Sequence, residues 1–291
     1  MQLIAVVLNW NGGQDTLAAL ESLEGVETIC VDNGSTDGSD ELVEQRFPGV
    51  ELLRTHANLG YAGGNNAGLR RALERGADWV LILNNDAVAD AGVPGALERA
   101  ALERPDAGLL ACKIVGEDGA VQFGGAPYRR WIGYSGRAGA RSPDVPPGAL
   151  RDVDRADGAA SAVSRAAAEA AGLLDESLFL YVEDVEWSLR IRRAGFAVVY
   201  VSGAVVRHKG SAASGGRSST TNLYYDTRNT IVVLEKHARL PRGLTALRRG
   251  VVVGAHAAQT VTHPARRDAL RAVFDGWRDA RAGRLGQRSS P

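Results

Sequence analysis

Apolar and amphipathic stretches alternate along the first 115 residues of the chain. Short apolar runs, which are typical of buried strands, lie at residues 4–8, 28–31, 50–54, 79–83 and 108–115. Segments with apolar residues at helical spacing lie between them, at residues 16–23, 40–47, 65–75 and 93–103. This alternation predicts an α/β fold with a mostly parallel central sheet and helices on both of its faces.

Polar residues follow the predicted strands at the points where the strands end. The clusters are Asn9 with Asn11, residues 32–37, residues 58–66 and residues 84–86. Ligands of open α/β sheets bind at the carboxyl ends of the strands. We therefore expect these four loops to meet at one edge of the sheet and to form a ligand site there.

The pattern changes after residue 115. Residues 116–148 are rich in glycine, arginine, proline and aromatic residues and predict a long loop, of a kind that is usually functional in compact domains. The sequence then predicts helices at 159–171 and 186–194, strand-like runs at 197–201 and 204–207, and helical structure from residue 222 onward.

Charge is balanced overall but divided unevenly along the chain. The 34 basic and 34 acidic side chains cancel, so net charge gives no indication of a nucleic-acid partner. From Arg207 onward, 16 basic and 5 acidic residues give +11, whereas residues 1–206 carry 18 and 29 and give −11. We expect an acidic domain over residues 1–215 and a basic helical extension over residues 216–291.

The two cysteines, Cys30 and Cys112, lie within apolar runs and are too few for a disulfide framework. They predict buried, reduced thiols in a reducing compartment. Residues 1–10 lack the basic segment and cleavage site of a signal peptide, and no apolar run approaches the length of a membrane span. The expected location is the cytoplasm.

Several nucleotide-binding and hydrolytic motifs are absent from the sequence. The turn after the first strand reads Asn9-Trp10-Asn11-Gly12-Gly13-Gln14 and lacks the G-x-G-x-x-G pattern of dinucleotide-binding folds. No P-loop pattern and no G-x-S-x-G nucleophile elbow occurs either. These absences disfavour an oxidoreductase, a P-loop enzyme and a serine hydrolase.

Five segments, in register over roughly residues 3–215, resemble family 2 glycosyltransferases of the GT-A fold, in the branch with many rhamnosyltransferase-like members. They are residues 31–39 (VDNGSTDGS), 58–68 (NLGYAGGNNAG), 83–86 (LNND), 179–184 (FLYVED) with Leu189-Arg190, and 208–211 (HKGS). The resemblance implies a nucleotide-sugar half over residues 1–115 and an acceptor and catalytic half over residues 116–215.

The resemblance also implies a donor site at the strand ends. The aspartate that matches Asp32 binds the nucleobase or ribose in the family, and a carboxylate can accept hydrogen bonds from both. The glycines of residues 60–68 permit close backbone approach, so main-chain N–H groups there are expected to cradle phosphates. The expected donor-binding residues are Asn9, Asn11, Asp32, Gly34, Asn65, Asn66, Asn85 and Asp86.

A divalent cation, Mg²⁺ or Mn²⁺, is the cofactor that the resemblance implies. Related enzymes carry a D-x-D-like motif where this chain has Asn84-Asn85-Asp86, so one carboxylate remains. The histidine that matches His208 completes the metal site in the family, and imidazole suits Mn²⁺ better than Mg²⁺. We expect Asp86 and His208 as ligands, with direct contact of His208 or Lys209 to the diphosphate as the alternative.

Glu183 and Asp184 are adjacent carboxylates just ahead of a predicted helix. On a strand they would point to opposite sides, so that only one could face the site. By the family pattern Asp184 is the base that deprotonates the acceptor hydroxyl, and Glu183 supports it or touches the acceptor. The implied reaction is inverting single displacement.

The donor is then a nucleoside-diphosphate hexose, dTDP-rhamnose being one candidate, and the acceptor a glycan, a lipid-linked glycan or a small molecule. Residues 123–141, with Trp131 and Tyr134, form the candidate acceptor loop. The basic tail suggests a peripheral contact with the inner membrane face, or a homodimer contact against the acidic body. The alternatives are a sugar-1-phosphate nucleotidyltransferase and a non-catalytic nucleotide-sugar-binding protein.

Overall fold

The computed structural model describes residues 1–125, 127–129, 131–135, 145–146, 148–210 and 219–288. Its strands are β1 Leu3–Asn9, β2 Glu27–Asp32, β3 Glu51–Arg54, β4 Trp79–Asn84, β5 Ala87–Ala89, β6 Ala107–Val115, β7 Val121–Phe123, β8 Tyr128–Arg129, β9 Tyr134–Ser135, β10 Leu150–Asp152, β11 Ala160–Ser164 and β12 Ala197–His208. The predicted loop over 116–148 is only partly described, and the candidate acceptor segment beyond residue 135 lies outside the described residues.

The helices of the described residues are α1 Gly13–Glu21, α2 Ser39–Arg46, α3 Gly60–Glu74, α4 Val93–Glu103, α5 Arg165–Ala171, α6 Glu183–Arg193, α7 Thr220–His237, α8 Arg242–Gln259 and α9 Arg266–Ala282, with a short 3₁₀ turn at Glu176–Leu178. They alternate with strands as far as β6, with β5 as an extra strand; β7 to β11 and then α5 and α6 precede β12, and α7 to α9 follow it. None of the described helices is long and apolar enough to cross a bilayer.

Ten of the described strands form one mixed sheet in the order β10-β12-β6-β11-β4-β1-β2-β3, with β5 paired to β12 and β7 paired to β6, and β8 and β9 form a separate two-stranded sheet. The pairs β1–β2, β1–β4, β2–β3 and β6–β12 are parallel, which confirms the predicted parallel character. In β1 and β2, Asn9 lies directly opposite Asp32. The ends of these two strands therefore bring their polar residues together, as predicted.

The sheet carries the hydrophobic core. Residues 4–7 of β1 and residues 80–81 of β4 are fully buried, as expected when helices cover both faces of a parallel sheet. Cys30 in β2 and Cys112 in β6 are buried free thiols of this core. Burial raises the pKa of both thiols to about 12, so they are inert at neutral pH.

The predicted helix over residues 159–171 is wrong in its first half. Residues 160–164 form strand β11, which lies antiparallel between β4 and β6, and only residues 165–171 are helical. The alanine-rich sequence favours a helix locally. The sheet overrides that preference because β4 and β6 leave a gap whose backbone groups β11 pairs, and β11 is buried throughout.

The glycine-rich residues 60–68 are not a phosphate-cradling loop. They form the first part of α3, which begins at Gly60, five residues before the predicted start. A Cβ atom on Gly64 would lie 2.4 Å from Leu8 Cδ1, and one on Gly68 would lie 2.4 Å from Val6 Cγ1. These glycines let the helix lie close against β1 and β2, so they serve helix–sheet packing.

The close helix–sheet contact at Gly68 leads to a stability prediction. We expect Gly68→Ala to lower the free energy of unfolding by about 1–3 kcal/mol, because the added methyl group overpacks the contact with Val6 and Val31. Gly95→Ala in α4 is the matched control. Nothing lies within 4 Å of the methyl group there, and the change is expected to be neutral or stabilising by up to about 1 kcal/mol. Urea unfolding of both variants measures the difference, and equal effects would contradict the packing argument.

Candidate active site

The buried amide of Asn9 organises the end of β1 and β2. Its Nδ2 donates to Asp32 Oδ1 (3.0 Å), Ser35 Oγ (3.2 Å) and Ser39 Oγ (2.8 Å). Its Oδ1 accepts from Thr16 Oγ1 (2.7 Å) and from the main-chain N–H of Gly12 (3.2 Å). Asn9 is fully buried and its amide is committed to these bonds. These hydrogen bonds allow Asn9 to fix the orientation of the Asp32 carboxylate.

Asp32 lies at the end of β2 and is 4% exposed. Besides the bond from Asn9, its Oδ2 accepts from the main-chain N–H of Ser35 (3.3 Å). Gly34, in the same turn, has φ of +75°, and a Cβ atom there would lie 2.7 Å from the main-chain carbon of Ala57. The exposed Asn11 accepts from the main-chain N–H of Thr36 (2.8 Å) and so ties its loop to this turn.

Asn65 and Asn66 lie side by side in α3 but differ in their bonding. Asn66 bonds across to the segment before the 3₁₀ turn, because its Nδ2 donates to Leu174 O (2.9 Å) and Glu176 Oε1 (2.9 Å) and its Oδ1 accepts from Leu174 N (3.0 Å). Asn65 donates only to Tyr61 O (3.0 Å), and its buried Oδ1 has no partner in the described part of the chain. Asn65 therefore retains an acceptor that Asn66 does not.

Asp86 and His208 are brought together by the pairing of β5 with β12, which places His208 opposite Ala87. His208 Nε2 lies 3.2 Å from Asp86 Oδ1 and makes no aligned hydrogen bond to any described residue. The other ring nitrogen, Nδ1, lies 3.2 Å from Gln122 Oε1. A carboxylate oxygen and a free imidazole nitrogen thus face each other, which is a donor set that suits Mn²⁺.

The chain supplies two such donors and no more in the part that the structure describes, where no group of three or more His, Cys, Asp or Glu side chains could hold a metal ion. The remaining ligands would have to be oxygens of a diphosphate and of water. Asn85 is turned away, since its Nδ2 donates to Thr16 Oγ1 (3.3 Å). Lys209 pairs with Asp15 at 2.5 Å.

Glu183 and Asp184 lie in the first turn of α6, which begins three residues earlier than predicted. The prediction that they lie ahead of the helix is therefore wrong, and strand alternation does not apply to them. Asp184 Oδ2 accepts from Gly158 N (3.2 Å) and Arg155 Nη1 (3.4 Å), and Oδ1 accepts from Val185 N (2.7 Å). Glu183 is buried, and its Oε2 has no partner among the described residues.

Burial raises the pKa of both carboxyls. For Asp184, Arg155 opposes this effect and the charge of Asp157 adds to it. For Glu183, burial acts together with the charge of Asp184 and raises the pKa well above the ordinary value. The two carboxyls therefore hold their protons to higher pH than exposed residues do.

The buried hydroxyl of Tyr61 links the two halves of the site. It donates a hydrogen bond to the carbonyl of Gly158, whose own N–H is bonded to Asp184. Burial raises its pKa well above 10, and the charges of Glu183, Asp184, Asp157 and Asp86 raise it further. The N–H of Asn84, two residues before Asp86, donates to Ala159 O (3.0 Å), so the loop that carries Asp86 adjoins the segment that contacts Asp184.

Sequence reasoning did not single out Tyr61, Arg155 or Asn229. Arg155 is 7% exposed, lies against Asp184, and has its guanidinium 5.0 Å from the centre of the Phe123 ring. Asn229, in α7, donates to the carbonyls of Leu178 (2.9 Å), Leu180 (2.8 Å) and Tyr181 (2.7 Å). Asn229 follows the buried Tyr225 by four positions and so lies on the same side of α7. A polar residue on a buried helix face is the weak sequence signal for its role. Nothing near Arg155 in the sequence points to Asp184.

Comparisons with known protein sequences identify the family of this chain. The sequence profile described as "Glycosyl transferase family 2" matches residues 6–143. The N-acetylglucosaminyl-diphospho-decaprenol L-rhamnosyltransferase of Mycobacterium tuberculosis is 33% identical over a 260-residue alignment that covers 78% of this chain and 83% of the relative. The chain belongs to glycosyltransferase family 2. It is a glycosyltransferase of the rhamnosyltransferase-like kind, as the sequence motifs predicted.

Solved structures confirm the predicted GT-A fold. Staphylococcus aureus TarS in complex with UDP-GlcNAc superposes with a TM-score of 0.60 at 15% identity, covering 96% of this chain and 81% of that chain. A Pyrobaculum calidifontis mannosyltransferase in complex with GDP-Man and Mn²⁺ gives 0.56 at 14% identity, covering 97% and 75%. At these identities the likeness concerns the fold alone.

The raised pKa of Glu183 predicts that stability falls with rising pH. At a pH above the ordinary glutamate pKa, the unfolded chain releases a proton that the folded chain keeps. The free energy of unfolding therefore falls as the pH rises from the ordinary pKa toward the raised pKa of the folded state. Glu183→Gln removes this cost. Urea unfolding should therefore show a larger gain in stability at pH 7.5 than at pH 4.5.

Glu24→Gln, at an exposed position, is the matched control for this measurement. It should change the free energy of unfolding equally at both pH values. A pH-independent effect of Glu183→Gln would contradict the assignment of a buried, protonated carboxyl.

Proposed function

We propose that this glycosyltransferase moves a hexose from a nucleoside-diphosphate sugar to a hydroxyl of a lipid-linked glycan, with inversion at the anomeric carbon and with Asp184 as the base. The observation that supports the proposal is the contact between the segments that carry Asp86 and Asp184. The N–H of Asn84 donates to Ala159 O (3.0 Å), and the N–H of the preceding residue, Gly158, donates to Asp184 Oδ2 (3.2 Å). The mycobacterial relative, an N-acetylglucosaminyl-diphospho-decaprenol L-rhamnosyltransferase, supports rhamnose as the sugar and a polyprenyl-diphosphate glycan as the acceptor.

Asp32 is the proposed contact to the nucleobase or ribose. It is held by Asn9, whose amide is already committed to internal bonds, so we assign Asn9 a positioning role. Gly34 keeps the turn close to Ala57 and leaves the Asp32 carboxylate at the edge of the sheet. The Oδ1 atom of Asn65 is a free acceptor for a donor hydroxyl, whereas Asn66 and Asn85 act through protein contacts.

Asp86 and His208 are the proposed ligands of a divalent cation, because the imidazole Nε2 lies 3.2 Å from the carboxylate and is buried without a hydrogen-bond partner among the described residues. Such an ion supplies positive charge that stabilises the leaving diphosphate. A neighbour of this fold was solved with GDP-Man and Mn²⁺, which agrees with that assignment.

Asp184 takes the proton of the acceptor hydroxyl while the hydroxyl oxygen forms a bond to the anomeric carbon. The bond from that carbon to the diphosphate breaks at the same time, and the diphosphate leaves with the electron pair. Burial raises the pKa of Asp184 and makes it a stronger base, and Gly158 N–H and Arg155 fix its orientation. Alignment of the reactants supplies a large part of the acceleration.

Binding of the donor is tested by thermal denaturation with UDP, GDP, dTDP and CDP, each with and without Mn²⁺. A ligand that binds the folded state raises the melting temperature, and we expect dTDP with Mn²⁺ to raise it most. Asp86→Asn and His208→Ala should each remove the part of the shift that depends on Mn²⁺. Asp90→Asn, which lies near the exposed Arg207, is the matched control. An unchanged Mn²⁺ effect in both site variants would contradict the ligand assignment.

The role of Asp184 is tested by transfer of rhamnose from dTDP-rhamnose to a polyprenyl-diphosphate N-acetylglucosamine. Asp184→Asn should retain the dTDP shift and lose at least about 100-fold in rate, since general-base catalysis contributes about that much or more. The wild-type rate should fall as pH drops through the raised pKa of Asp184. Asp157→Asn should retain most of the activity. Full activity of Asp184→Asn would exclude it as the base.

A further inference from the structure

The outward face of α8 is apolar over its whole length. The inward face packs on α7 and α9 through residues that include Val252, Val253 and Ala257. The opposite face consists of Leu244, Leu247, Val251, Gly254, Ala255 and Ala258, all exposed. Leu244, Leu247 and Val251 are 47%, 66% and 47% exposed. A surface helix normally carries polar residues on its outward face. In α8 both faces are apolar, and only the inward face is covered by other described helices.

Exposed arginines without acidic partners among the described residues lie before, at the start of and after α8 along the chain. Residues 236–267 contain no aspartate or glutamate. No ion pair is found within the described part of the chain for the exposed residues Arg239, Arg242, Arg266, Arg267 and Arg271. Arg249 differs, because it pairs with Glu235 at 2.6 Å. The cationic side chains at both ends of α8 are therefore available to an outside partner.

The apolar surface continues beyond α8. Val261, in the turn after the helix, is 59% exposed, and Phe274 of α9 is 52% exposed. Phe274 follows Arg271 by three positions and therefore lies on the same side of α9. The docking face, as we define it, consists of Leu244, Leu247, Val251, Val261 and Phe274 with the five arginines named above.

We propose that the docking face binds the surface of an anionic lipid bilayer. Apolar side chains on one helix face enter the interface between headgroups and acyl chains, and neighbouring arginines bind the anionic headgroups. A second copy of the chain fits this face less well. In a two-fold dimer the same patch meets itself, so arginine would face arginine. The absence of acidic residues from 236–267 leaves such a contact without compensating charge.

Membrane binding by this face does not depend on the chemistry of the active site. The further suggestion that it brings the enzyme to a lipid-linked acceptor rests on the proposed function. Vesicle binding is measured without donor or acceptor, and transfer is measured with them. Failure of one result therefore leaves the other standing.

The test is co-sedimentation of the full chain with phosphatidylcholine vesicles, with and without phosphatidylglycerol. We expect binding to the vesicles that contain phosphatidylglycerol, and we expect salt to weaken it. Leu247→Glu should reduce the affinity at least about tenfold, because it removes one buried leucine side chain from the lipid contact. Substitution of Arg242 and Arg267 together by glutamine should reduce binding to the anionic vesicles as well.

Controls come from α4, which carries the 75% exposed Leu102 and the exposed Arg99. Leu102→Glu and Arg99→Gln should bind the vesicles as the wild type does. Equal loss in the α4 and α8 variants, equal binding to neutral vesicles, or no binding at all would overturn the proposal. A dimer in solution that Leu247→Glu dissociates, with no vesicle binding, would assign the face to a second copy instead.

Discussion

The position of the Glu183 and Asp184 carboxyls depends on a strained segment, residues 179–182, that contacts the C-terminal helices. Phe179, Tyr181 and Val182 have φ of +64°, +66° and +72°, a conformation that non-glycine residues rarely adopt and that costs on the order of 1–3 kcal/mol for each. Glu183 and Asp184 follow at once. The conformation is stable because the amide of Asn229 donates to three carbonyls of this segment and its carbonyl accepts from Arg228.

Arg228 also supports the segment that precedes Glu183. It is fully buried, its Nη2 donates to Leu178 O (2.8 Å) and its Nη1 to Gly286 O (2.7 Å), and its guanidinium lies 4.9 Å from the centre of the Tyr225 ring. The tail therefore does more than extend the sheet domain. Its first helix, α7, supports the segment before Glu183, and Gly286 and Arg288 bond to Arg228 and Tyr225 of that helix.

Negative charge is concentrated where this loop meets the sheet. The charges of Glu183, Asp184, Asp157 and Asp86 raise the pKa of Tyr61, and Asp157 also raises the pKa of Glu183 and of Asp184. Such a grouping of like charges is unfavourable in a folded protein. A diphosphate would add charge of the same sign. A divalent cation between Asp86 and His208 would reverse the local field, so the electrostatics and the donor set favour the same cofactor.

Much of the sheet follows from the sequence, because buried parallel strands read as apolar runs and their polar ends are easily recognised. Strand β11 does not, since its small residues favour a helix until β4 and β6 supply partners. Arg155 and Asn229 could not be predicted either. Each acts on a carboxylate or a carbonyl far away in the sequence, and only the packed chain brings them together. Local sequence patterns indicate the secondary-structure propensity and the burial of a residue. They do not indicate which distant residue it contacts.

The arginines of the tail have two different physical roles, although by composition they form one basic extension. Arg228 and Arg248 are buried and donate to main-chain carbonyls, so their charge is used inside the protein. The arginines of the docking face, which have no ion pair among the described residues, lie before or at the start of α8 and in the first turns of α9, and α8 between them carries an uncovered apolar face. A tail that served only to hold the catalytic loop would need the first set and the inner face of α8. It would have no need of the second set, and a face of exposed leucine and valine would only reduce solubility.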